Sequence, residues 1–228
     1  MSGLRLRYLG RQEFTPCWEA MRQLTSTRDT LTPDEFWLLE HPSVYTLGLN
    51  GDPRHRLDST ATPLIQTDRG GQITWHGPGQ LIAYTLIDLH RLNIGIKRLV
   101  HGLEQAVITL LSQYGLSAEA RPDAPGVYVN GAKIASVGLR VSHGCSYHGV
   151  SLNVNPDLSP FDHINPCGYP GLTVTSLARF GVSTTTTALA PALALAIMET
   201  LGYPRNALVT HVSTSLPTPL ATTVQVTR

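Results

Sequence analysis

Residues 81–89 read Leu-Ile-Ala-Tyr-Thr-Leu-Ile-Asp-Leu. So few polar interruptions are expected of a strand buried on both faces, because a strand with one solvated side alternates. Soon after it, Ile96, Leu99, Val100, Leu103, Val107, Leu110, Leu111 and Tyr114 recur at three and four residues. That spacing predicts an amphipathic helix from Ile96 to Tyr114, ended by Gly115, with Arg98, His101, Glu104 and Gln105 on its solvated side.

The rest of the chain supplies mostly strands. Leu4, Leu6 and Tyr8 alternate with arginines and predict a half-exposed first strand. Thr15 followed by Pro16 predicts a capped helix reaching about Thr27, with Trp18, Met21 and Leu24 inward and Cys17 in a structural role. Two short apolar runs, Phe36 to Leu39 and Val44 to Leu47, are split by His41-Pro42 and give two strands or one broken strand. Arg54 to Thr62 is polar and aperiodic, so it reads as a surface loop. Strands are expected at Leu64 to Thr67, Ile73 to Trp75 and Tyr147 to Val154. Val127 to Val129, Asn130-Gly131 and Ile134 to Val141 predict a hairpin. Val174 to Phe180 reads as a short helix and Ala188 to Leu201 as a last one interrupted early by Pro191. Strands dominate the middle and helices do not alternate with them regularly, so the expected class is α+β or mixed α/β. One domain over residues 1–205 is expected, then a Ser/Thr/Pro-rich strap or tail over 206–228.

Composition narrows the function. The 228 residues are 42% hydrophobic and carry a formal net charge of +1, with no long run of like charge, so neither nucleic acid nor an acidic membrane is a required partner. No secretory leader or membrane-spanning stretch is apparent, which makes a cytosolic protein the default. Three widely spaced cysteines, Cys17, Cys145 and Cys167, fit reduced thiols better than a disulfide framework. Only Lys97 and Lys133 are lysine; the other basic residues are arginine, which cannot be deprotonated in a protein.

Four stretches invite chemistry. Ile164-Asn-Pro-Cys-Gly-Tyr-Pro-Gly171 is too rich in proline and glycine for a helix or an internal strand. It reads as a rigid loop that either presents Cys167 as a nucleophile or buries it as a small hydrophobe in a turn. Asp68-Arg-Gly-Gly71 and Trp75-His-Gly-Pro-Gly-Gln80 are two glycine-rich turns that let backbone approach a ligand or simply close hairpins; they lack the spacing of a phosphate cradle. Lys133, among small and apolar residues, is either a buried partner for a thiolate or an edge-strand lysine that snorkels to water. His143, Cys145, His148 and His163 do not match a structural zinc spacing well, and His148-Gly-Val-Ser-Leu-Asn153 reads better as a strand leaving room for a ligand.

Taken together, Arg69-Gly-Gly-Gln-Ile-Thr-Trp-His-Gly-Pro-Gly-Gln80, Gly131-Ala-Lys-Ile-Ala-Ser-Val-Gly138, Gly144-Cys-Ser-Tyr-His-Gly-Val-Ser-Leu-Asn-Val154 and Ile164-Asn-Pro-Cys-Gly-Tyr169 resemble the lipoyl(octanoyl) transferases. The order and content of these motifs cover most of residues 30–180. The resemblance implies the fold of the biotin and lipoate protein ligase catalytic domain, a mixed sheet with helices packed on it. It implies that Cys167 takes an octanoyl group from an acyl carrier protein as a thioester and passes it to a lysine of a lipoyl domain, in 2-oxoacid dehydrogenase complexes or the glycine cleavage H protein.

By the same match Lys133 lowers the thiol's pKa or moves its proton. Arg69, Gly70, Gly71, Gln72, Ile73, Thr74, Trp75 and His76 are expected to line the acyl pocket, with Ser136, Val137, Gly138, Gly149, Val150 and Ser151. No cofactor and no metal is implied, and a monomer is expected. Trp75 stands where the family usually has tyrosine, and Val150-Ser151 where leucine-alanine is usual; both bear on chain-length preference. A patch using Arg91, Lys97 or Arg98 is the expected dock for acidic carrier proteins. Two readings compete: an ATP-dependent lipoate ligase on the same fold, which would not need Cys167, and a silent binder of carrier proteins.

Overall fold

A computed structural model describes residues 3–204, 209–212 and 215–217. The strands are β1 (Leu4–Arg11), β2 (Asp34–Glu40), β3 (Val44–Leu47), β4 (Leu64–Gln66), β5 (Thr74–His76), β6 (Gln80–Leu86), β7 (Glu119–Ala120), β8 (Val127–Val129), β9 (Ala132–Ser142), β10 (Cys145–Asn153) and β11 (Val209–Val212). The helices are α1 (Phe14–Thr27), α2 (Leu89–Leu92), α3 (Ile96–Ser112) and α4 (Thr186–Leu201). Eight strands form one sheet in the order β11-β1-β2-β6-β10-β9-β8-β7, and β4-β3-β5 form a small second sheet. β1 runs parallel to β2 and β11, and the other pairings of the large sheet are antiparallel. The class is mixed α/β, as expected.

β6 sits at the centre, and every residue of it is buried. Leu81 and Ala83 face the core built by α3 and α4, while Ile82, Tyr84 and Leu86 share a cluster with Cys17 and Met21 of α1 and Trp37 of β2. This is the doubly covered strand that its sequence demanded. It stops at Leu86, however, because Asp88 caps α2 by accepting from the Arg91 amide at 3.1 Å.

Several local expectations give way to partners distant in sequence. β1 is not half-exposed: Arg7 is buried, its guanidinium bonded to Glu35 on β2 at 2.6 and 3.2 Å. α1 begins at Phe14, one residue before Thr15, with no side-chain cap. Glu104 is not on a solvated face of α3, for it is buried and accepts from the Gly126 amide at 2.9 Å. Pro191 does not interrupt α4. It lies in the second turn, after Thr185 has capped the helix start by accepting from the Ala188 amide. Only Leu177–Phe180 of the expected 174–180 helix is helical, as one tight turn. Of residues 206–228, Val209–Val212 are the edge strand β11, residues 215–217 are described, and the remainder of the expected tail lies outside the described residues.

Candidate active site

Cys167 stands in a single tight turn, Pro166–Gly168. Its backbone is left-handed, φ 57° and ψ 16°, a conformation costing a non-glycine residue about 1–2 kcal/mol. Three hydrogen bonds hold it there: the Cys167 amide to Ile73 O at 2.9 Å, the Gly168 amide to Asn165 O at 2.9 Å, and the Tyr169 amide to Pro166 O at 3.1 Å. Such strain, held by its surroundings, is typical of functional positions.

Lys133 comes from the start of β9, after the hairpin turn at Asn130 (φ 50°) and Gly131 (φ 81°). Its amide donates to Thr173 O and its carbonyl accepts from the Thr175 amide, both at 2.9 Å, so the strand is stitched to the segment leaving the cysteine loop. The side chain is buried, runs past Tyr128, and its ammonium donates to Cys167 Sγ at 3.1 Å. Burial pulls the lysine's pKa down, but the charge and hydrogen bond of Cys167, with help from Tyr128, outweigh it and hold the pKa above the ordinary value. Lys133 is therefore an ammonium paired with the sulfur, not a snorkelling edge lysine.

These two residues stand at a cavity of about 380 Å³ where the small sheet meets the large one. β9 and β10 pair so that Ser136, Val137 and Gly138 lie opposite Ser151, Val150 and Gly149, while Gly149 and Ser151 meet Tyr84 and Ile82 on β6. That register brings two sequence-predicted triplets onto one wall. Arg69, Gly70, Gly71, Gln72, Thr74 and His76 form another part of the lining. Ile73 and Trp75 do not join them, because alternate residues of a strand point to opposite faces. They pack in a separate cluster with Tyr45, Leu47, Phe161 and Ile164, and the Trp75 indole donates to Ser43 Oγ. The Trp75 departure therefore falls outside the cavity, whereas Val150 and Ser151 lie on its wall.

Arg69 is buried, and its guanidinium donates to Thr46 O, Gly70 O and Gln72 O at 2.6–2.9 Å. Burial pulls it down only to about 10, so it remains a cation. No carboxylate lines the cavity among the described residues. His76 and His148 are on the wall, with His41 behind them; burial depresses all three, His76 to about 3 and His41 to about 4. His148 is bonded to Asp68 at 3.1 Å, which has nothing to do with His143 or His163. Sequence reasoning missed Phe14, Ile82, Tyr84, Ile96, Val100, Leu139 and Tyr169 as lining residues. Ile82 and Tyr84 could have been reached from the alternation of β6, but Phe14 carries no local signal. The expected basic dock is partly spent inside the molecule: Arg91 is paired with Asp34 and Asp88, and Arg98 donates to Thr200 O.

The fold and the site define a class. The lipoyl protein ligase A/B catalytic domain matches residues 14–197. A bipartite lipoate protein ligase from Thermoplasma acidophilum superposes with a TM-score of 0.71 at 15% identity, covering 93% of this chain and 86% of that one. A biotin protein ligase from Aquifex aeolicus superposes at 0.52 with 14% identity, covering 87% and 69%. These two likenesses show the shared fold. Within the class, this chain belongs to the octanoyltransferases. It is 58% identical over 197 residues to an octanoyltransferase of Methylococcus capsulatus, covering 86% of this chain and 95% of that protein. It is 53% identical to an octanoyltransferase of Alkalilimnicola ehrlichii, covering 88% and 94%. No helix among the described residues is long and apolar enough to cross a membrane.

Proposed function

We propose that Cys167 carries the octanoyl group as a thioester between an octanoyl-acyl carrier protein and the target lysine of a lipoyl domain, such as those of 2-oxoacid dehydrogenase complexes or the glycine cleavage H protein. The observation that supports this best is the 3.1 Å contact of Lys133 Nζ with Cys167 Sγ at the head of a cavity lined by apolar groups.

In the resting pair the ammonium of Lys133 stabilises the thiolate, which is the nucleophilic form. The sulfur attacks the donor's thioester carbonyl, the carbon–sulfur bond to the carrier breaks, and the departing thiolate takes a proton from Lys133. Acylation removes the charge that had kept Lys133 protonated. What remains is burial, the largest influence on it, which favours the neutral amine. Neutral Lys133 then takes a proton as the acceptor amine attacks, and the ion pair returns when the amide forms. Because the Cys167 and Gly168 amides are already bonded, they are not available to the carbonyl oxygen. Arg69 grips the carbonyls of Gly70 and Gln72, and the amides of Gly71 and Gln72 are the donors we assign to that oxygen.

Intact-protein mass after incubation with octanoyl-acyl carrier protein, without ATP, tests the reading. A gain of one octanoyl group, removed by hydroxylamine and absent in Cys167→Ala, is expected. Transfer that persists in Cys167→Ala would overturn it.

A further inference from the structure

The proton count of the second half-reaction leaves one proton without an acceptor. An acceptor lysine, with an ordinary pKa near 10.4, arrives as an ammonium. Forming the amide and releasing the Cys167 thiolate liberates two protons from it. Lys133 has given up one proton during acylation and can take back one. The other must leave before the nitrogen lone pair can attack. This bookkeeping rests on the thioester reading above.

We infer that His55 is the base that takes this first proton, from its place beside the Cys167 loop. His55 ends the tight turn Pro53–His55 in a stretch whose sequence reads only as a polar surface loop. Its position is set by backbone contacts with the nucleophile loop: the Asn165 amide donates to His55 O at 2.7 Å, Arg56 bridges Ile164, and the Leu57 amide donates to His163 O at 2.9 Å. Asn165 is two residues before Cys167. A Cβ placed on Gly168, the residue after the nucleophile, would lie 3.3 Å from His55 Nε2. The ring therefore leans over the chain at the sulfur's own turn.

The imidazole is also set up chemically. His55 is half-buried, so one edge of its ring reaches solvent and can pass a proton on. Nδ1 lies 3.4 Å from the side-chain amide nitrogen of Asn165. In the flipped orientation of that amide its oxygen would accept from Nδ1–H and leave the lone pair on Nε2, the atom that lies 3.3 Å from a Cβ placed on Gly168. Asp52, on the same turn, is the charged group that faces His55, and it is itself paired with Arg54. From the other loops the uncharged Asn165 amide lies against the ring, and the stem of Gln72 shares with His55 Nε2 the space around Gly168.

The step balances. The acceptor ammonium gives one proton to His55 Nε2, its lone pair forms the nitrogen–carbon bond, the carbon–sulfur bond breaks toward Cys167, and the second proton goes to Lys133. His55 then loses its proton to water.

The test separates the two half-reactions with His55→Gln, which keeps a hydrogen-bonding side chain but cannot act as a base. Octanoylation of Cys167 is followed by mass, and then discharge of the isolated acyl-enzyme to a lipoyl domain is followed in a single turnover across pH 6–10. We expect acyl-enzyme formation within about threefold of wild type and discharge slowed about a hundredfold at pH 7, a usual general-base contribution. The deficit should shrink as pH approaches the acceptor amine's own pKa. Added imidazole should restore discharge in His55→Gly. Equal discharge rates in wild type and His55→Gln would overturn the His55 role alone, as would equal losses in both half-reactions, which mark a structural part. Absence of any adduct in wild type would overturn the thioester reading first.

Discussion

Gly126 decides where the Lys133 ammonium sits. It lies between β7 and β8 with φ +136°, and a Cβ there would come 2.5 Å from Ala135 O and 2.6 Å from Lys133 Cε. In Gly126→Ala the backbone conformation alone costs about 1–3 kcal/mol. The carbonyl cannot rotate away, so overpacking adds about 1–3 kcal/mol. Gly181→Ala supplies the control: its φ is +76°, nothing lies within 4 Å of the added carbon, and it lies outside the cavity lining. Its loss should be about 1–2 kcal/mol. The excess loss in Gly126→Ala measures the collision, and that collision pushes the lysine stem. A displacement of about 1 Å at a catalytic group can cost about a hundredfold in rate. Urea unfolding at unchanged m-value gives the stabilities, and mass-monitored octanoylation of Cys167 gives the rates. Equal stability losses in both variants, with wild-type octanoylation in Gly126→Ala, would refute the idea that this glycine sets the lysine's position.

Three other outcomes follow from the same geometry. Lys133→Ala should slow octanoylation about tenfold or more at pH 7 and move the pH optimum upward, since the thiolate loses its cation; an unchanged rate and profile would remove the lysine from the mechanism. Limiting iodoacetamide should label Cys167 before Cys17 and Cys145, whose thiols are buried and pushed up by that burial, and prior octanoylation should block the label. Finally, burial holds His41 and His76 neutral in the fold, at about 4 and about 3, against an ordinary 6.5 when unfolded. Their contribution is whole above pH 6.5 and declines as pH falls toward 4, where each should lower the unfolding free energy by about 1.4 kcal/mol per pH unit. A stability that is flat from pH 6.5 to 4.5 would contradict their buried, neutral state.

The pieces legible in the sequence are those written in local pattern. The all-apolar run of β6, the periodicity of α3 and the Asn130-Gly131 turn each carry their structure in consecutive residues, and the motif resemblance supplied Cys167 and Lys133 together. What escaped depends on partners far along the chain. Arg7 reads as a solvated arginine until Glu35 is placed opposite it, and Glu104 reads as a surface acid until the Gly126 amide is brought to it. Ile73 and Trp75 stood inside a pocket-lining motif, yet the pleat of β5 turns them away while Thr74 and His76 face in. In that motif the pleat sorts alternate residues into and out of the cavity, whereas the triplets at 136–138 and 149–151 line it throughout.

The charge distribution around the cavity explains how one wall can be both polar in sequence and apolar in use. His41 gives its two ring nitrogens to Gln12 O and Tyr84 OH, His76 turns Nδ1 to Gln80, and His148 turns Nε2 to Asp68. With those edges satisfied by the protein, what His76 and His148 offer the cavity is uncharged ring surface, beside Phe14, Ile82 and Tyr84. Positive charge on the lining is thereby confined to Lys133 and Arg69, with no carboxylate on the described wall. On the proposed reading, an acyl chain would meet neutral surface along its length, while the atoms that become negative during thioester exchange, the sulfur and the carbonyl oxygen, would lie at the end where the cations are. Protonating a wall histidine would place a third cation against such a chain and draw charge away from the reacting end, so in the proposed reaction the burial that keeps these rings neutral would serve the chemistry alongside Lys133.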